Sequence, residues 1–130
     1  VEYNWHADSG RVGEAAAALD WWLEQSVPRP MQAIWSYEAV WFEVFSRNDL
    51  AAARERLRTA ARFRDETGAA VAIWKAEAAI AAAEGRPADA AAAAHETEQA
   101  LRRAPIDSGL ARAIREDLAV LLARYSAAAG

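Results

Sequence analysis

Side chains that carry chemistry are sparse in this chain: two histidines, His6 and His95, and no cysteine. The lack of cysteine removes a thiolate nucleophile, a disulfide framework and a thiolate metal site together. His95 opens the run HETEQ, which starts like a zinc-binding HExxH helix, but Gln99 stands where the second histidine is needed. The i, i+4 ligand pair is therefore missing. His6 and Asp8 can share a proton, yet no third group completes a catalytic set, and a hydrogen bond at a turn is the expected use. Glu14, Glu24, Glu38, Glu43, Glu77 and Glu84 are spread along the chain. General acid–base catalysis would need two of them in one dry cleft, which their spacing does not demand. GRVGEA at 10–15 lacks the GK[ST] ending of a phosphate loop. The sequence predicts no catalytic residue, no metal site, no cofactor and no enzymatic activity for this segment.

Binding is better represented. Trp21, Trp22, Trp35, Tyr37, Trp41, Phe42 and Phe45 crowd one stretch. Trp22, Tyr37, Trp41 and, further on, Trp74 are expected to fill the core. Arg54, Arg58 and Arg62 recur at i, i+4 and i+8, so they share one helix face. Such a face is usually solvated, but it also suits an acidic partner.

Composition narrows the setting. Alanine dominates the apolar share and β-branched residues are few, which favours closely packed helices and an all-α class. A net charge of −4 argues against nucleic acid, which requires clustered positive charge. No apolar run reaches the roughly 20 residues of a membrane span. Lys75 is the only lysine, which with the alanine bias points to a high-GC bacterial genome, and the lack of cysteine fits a reducing, cytoplasmic compartment. Val1 stands where methionine would open a full chain. The expectation is a fragment of a longer protein, tethered to a membrane if at all through parts not present here.

The elements that must position these residues follow from punctuation. Residues 2–8 read as the end of a helix, and Val12 to about Gln25 as a second. SVPRP at 26–30 breaks the chain, since its prolines remove donors and restrict the residues before them. Further helices are predicted over 31–46, 50–64, 69–84, 87–103 and 110–126, seven in all. Asn48-Asp49 supplies an N-cap, Gly68 a C′ position, and Pro87 a first-turn proline. Short connections make sequential helices antiparallel neighbours. The expected organisation is a single domain over 1–130, with hairpins at about 1–25, 31–64 and 69–103 and a final helix at 110–126.

Three turns align. Gly10, Asn48 and Gly85 are spaced by 38 and 37 residues, and five positions after each stand Ala15, Ala53 and Ala90. Four further on lie Leu19, Leu57 and Ala94, and three beyond those Trp22, Ala60 and Thr97. Tyr37 and Trp74 each precede their alanine by 16 residues, and Ala78 takes the small position of its helix. This pattern resembles the tetratricopeptide repeat, although its period exceeds the usual 34 and Trp41 stands where the family prefers a small residue. The resemblance implies hairpins stacked as a short right-handed superhelix whose concave groove binds a protein or peptide segment. It places Asn4, Trp35, Glu38, Phe42 and Lys75 on that groove, with packing an equal alternative for Trp35 and Phe42.

A fainter resemblance concerns EAVWFEVFSRNDLAAARERL followed by KAEAAIAAAEGRPADAAAAA. These stretches are similar to the helical C-terminal tails of bacterial site-2-type membrane metalloproteases, which implies a regulatory role beside a catalytic domain upstream. Self-association as a homodimer through leftover apolar surface is a third alternative, since short arrays without polar caps pair with themselves.

Overall fold

A computed structural model describes residues 17–18, 20–21 and 27–129. Within them the chain is all-α, with five α-helices, two short 3₁₀ turns and no strand. The helices are α1 (Arg29–Phe45), α2 (Leu50–Ala60), α3 (Ala70–Ala83), α4 (Pro87–Arg103) and α5 (Ser108–Ala129). The 3₁₀ turns cover Ala61–Phe63 and Thr67–Ala69. Of the two helices expected before residue 26, only the helical backbone at residues 17, 18, 20 and 21 lies within the described residues. The chain divides into two compact units, Val1–Ala69 and Ala70–Gly130.

In the first unit α1 starts at Arg29, two residues ahead of the expected Met31. Pro30 does not delay it, because the first turn has no partner for its missing N–H. Met31 and Gln32 donate to the Pro28 carbonyl, and the Gln32 side chain donates to the Val27 carbonyl at 2.9 Å. Most of α1 from Ala33 to Val44 is buried, and Trp41 stacks on Phe45 with ring centroids 5.0 Å apart. Such all-round burial suits a helix apolar on nearly every face.

The chain turns through Asn48, at φ 51°, and Asp49 caps α2 by accepting from the Ala52 N–H at 2.9 Å. α2 packs on α1 and ends earlier than the predicted Arg64, its last turn tightening into the 3₁₀ segment over Ala61–Phe63. Gly68 does not take the C′ role expected of it. It lies inside the second 3₁₀ turn, and a Cβ there would meet Pro30 at an ordinary 3.5 Å.

In the second unit α3 and α4 form a hairpin, and α5 packs on both. The turn between them passes through Gly85 at φ 74°. Its N–H donates to Ala82 and that of Arg86 to Ala81, at 3.1 and 2.8 Å, closing a Schellman motif. The preceding hairpin closes more loosely, Arg47 donating to Phe42 and Asp49 to Glu43. α5 begins at Ser108 rather than Leu110, because the Asp107 carboxylate accepts from Gly109 and Leu110 and so caps the helix.

Positions aligned by sequence share environments across the two hairpins. Ala53 and Ala90 are buried, Leu57 and Ala94 half-buried, Ala60 and Thr97 buried again. Thr97 fits where alanine sits in the other copy because its hydroxyl donates to the Ala93 carbonyl at 2.9 Å. The aligned aromatics differ. Tyr37 is fully buried, whereas Trp74, expected in the core, is 37% exposed.

Candidate binding pocket

The first unit holds a pocket of about 460 Å³ between α1 and α2. From α1 come Gln32, Ser36, Ala39 and Glu43, one stripe at helical spacing. Opposite them stand Ala52, Glu55, Arg56 and Thr59 of α2, with Arg62 from the 3₁₀ turn. The alanines leave the space, and the polar residues furnish the walls.

At one end of that stripe Glu43 is almost wholly buried. Burying a carboxylate is expensive unless it is paired and hydrogen-bonded. Arg56 Nε donates to Glu43 Oε2 at 2.8 Å, and Arg47 Nη1 lies 3.2 Å from Oε1. Arg56 Nη1 also donates to Asp20 Oδ1 at 2.9 Å, tying α2 to the helical residues before α1. Burial works against the Arg56 charge, but the hydrogen bonds to Glu43 and Asp20 outweigh it and hold its pKa above the ordinary arginine value. The arginine is thus a fixed cation that serves two carboxylates.

The other charges resolve in pairs. Glu55 pairs with Arg58. Arg29 lies 3.2 Å from Asp65 and 3.3 Å from Glu66, and also donates to the Arg62 carbonyl at 3.1 Å. Two guanidinium groups stand over the Phe63 ring, Arg62 at 4.7 Å and Arg29 at 5.0 Å from its centroid. Arg62 is therefore held by an aromatic face rather than by an acid.

Comparison with family models, with curated proteins and with solved structures gave no match.

The structure distributes the sequence-derived residues unevenly. Asn4 lies outside the described residues. Trp35 and Glu38 are half-buried on α1. Phe42 is 0% exposed, and Lys75, in the other unit, is 7% exposed. Of the arginine face, Arg54 is exposed, Arg58 is engaged with Glu55, and Arg62 alone lines the pocket. Sequence reasoning missed Glu43 and Arg56 as a unit. The available signal was a glutamate inside the apolar run EAVWFEVF, which requires a cation nearby once that run is buried. No group of three or more potential metal-binding side chains occurs among the described residues, and no described helix is long and apolar enough to cross a membrane.

Proposed function

We propose that this chain is a non-catalytic protein- or peptide-binding module, built of helical hairpins that stack as a short right-handed superhelix. The observation that carries this reading is the repetition of one turn. Asn48 and Gly85, 37 residues apart, both adopt the left-handed conformation. The three positions counted from each turn also repeat their burial. Arrays of this kind pack one face against the next unit and offer another to a partner. With Phe42 and Lys75 enclosed, the docking surface is better sought at the pocket between α1 and α2. Its volume falls in the range of pockets that enclose a small ligand or a few side chains.

The test is selection of displayed peptides against the immobilised chain, followed by affinity measurement on a variant whose pocket is filled. Thr59→Trp places an indole in the pocket from the exposed side of α2. Selected peptides should lose about tenfold or more in affinity, an energy of about 1.4 kcal/mol. The thermal midpoint should stay near that of the parent. Undiminished affinity in this variant, or no peptide bound above a scrambled control, would remove the reading.

A further inference from the structure

We infer that the pocket between α1 and α2 receives a carboxylate side chain of the bound segment, with Arg62 as its counter-ion. The inference rests on the reading of the pocket as a peptide site and adds what the peptide must carry. Charge matching leads to it. Glu43 is matched by Arg47 and Arg56, Arg56 also by Asp20, and Glu55 by Arg58. Among the described residues the lining charge that no opposite charge matches is Arg62. Its guanidinium is already ordered by the Phe63 ring, and its backbone carbonyl is anchored by Arg29. An incoming anion would therefore not have to immobilise a freely rotating arginine, which lowers the ordering cost of binding. The wall beside it carries neutral hydrogen-bonding groups on Gln32, Ser36 and Thr59. A carboxylate fits this setting: a guanidinium presents paired donors to it, and the Ser36 hydroxyl can donate to a remaining lone pair. The Thr59 hydroxyl instead donates to the Glu55 carbonyl at 3.4 Å, and the Gln32 amide to Val27. A cationic side chain would meet the unmatched Arg62, and the buried lining carboxylate oxygen that makes no hydrogen bond, Glu43 Oε1, already lies 3.2 Å from Arg47.

Titration of the intact chain with three probes tests the inference, followed through the arginine side-chain N–H resonances by NMR. The probes are an alanine pentapeptide blocked at both ends with a central glutamate, the same peptide with glutamine, and N-acetylglutamate. The glutamate peptide should bind about tenfold tighter than the glutamine peptide, the scale of one charge-assisted hydrogen-bonded pair. It should shift the Arg62 resonance saturably and weaken as salt is raised. Arg62→Gln should abolish the preference, whereas Arg64→Gln, an exposed neighbour outside the pocket, should preserve it. Equal affinity for the glutamate and glutamine peptides would overturn the inference, as would equal loss in both variants. N-acetylglutamate binding as tightly as the peptide would overturn the assignment to a peptide side chain. Selected peptides that bind at the pocket without an acidic residue would leave the interaction module standing and refute the carboxylate.

Discussion

A carboxylate enclosed in an apolar helix is costly without partners, and Glu43 finds them in Arg56 and Arg47. Removing the acid leaves Arg56 half-buried beside Asp20 alone. Glu43→Ala should therefore cost about 2 kcal/mol in chemical denaturation. That is less than for a wholly enclosed pair, because a fifth of the Arg56 side chain is exposed. The double variant Glu43→Met with Arg56→Met should recover much of the loss, since no unpaired charge remains inside. A second residue-scale expectation concerns Glu98, which accepts from Arg115 at 2.7 Å and pairs with Arg102. The Arg115 hydrogen bond, reinforced by Arg102, lowers the Glu98 pKa. Its contribution to stability is thus present above the ordinary carboxylate range and lost as pH falls through the lowered value. In Arg115→Gln a carbon-detected titration should place Glu98 closer to the ordinary range, and the stability difference from the parent should vanish in acid. Glu98 and Arg102 stand at i, i+4, but the cross-helix partners could not be read from spacing. Glu43 and Arg56 are 13 residues apart on different helices, and only the hairpin geometry makes them partners. Phe42 and Lys75 were expected on an open groove and are buried, because a single helix pattern does not say which of its faces will be covered.

Turns were the most legible elements, because their chemistry is local. Asn48 and Gly85 share the left-handed conformation that their alignment implies. For Gly85 no atom stands within 4 Å of an added Cβ, so the cost of a side chain there is purely one of backbone conformation. Gly85→Ala should lower stability by about 1 kcal/mol. Asn48→Gly relieves the positive φ but also removes the side chain's own interaction, so its change should be smaller than that of Gly85→Ala. A matched pair of thermal melts decides both. Helix ends were less legible. Arg29 and Ser108 begin their helices two residues before the predicted starts, because first-turn prolines and an aspartate cap extend a helix backwards. Gly68 looked like a terminator in sequence, yet the chain bends there through 3₁₀ turns that need no left-handed residue.

At the scale of the molecule, composition alone indicated an all-helical chain. The distribution of burial among the helices needed the structure. α1 and α3 carry nine buried residues each, whereas α5 meets its unit along one stripe that includes Ala111, Leu118 and Leu121. Opening of the peripheral helix exposes less apolar surface, so native-state hydrogen exchange should be slowest in the centres of α1 and α3 and clearly faster along α5. Uniform protection across all five helices would contradict that ordering. Trp74 shows the limit of pattern reading at this scale: the alignment pairs it with Tyr37, but whether an aromatic is covered depends on what packs over that part of its helix.

The open space around Gly85 also offers a practical handle. No atom beyond its chain neighbours stands within 4 Å of a Cβ added at Gly85, so a cysteine-borne fluorophore there meets only the backbone cost of replacing the glycine. The described walls of the pocket come from residues before that point in the chain. The same turn that sets the repeat thus supplies an attachment point that alters none of the described residues lining the pocket.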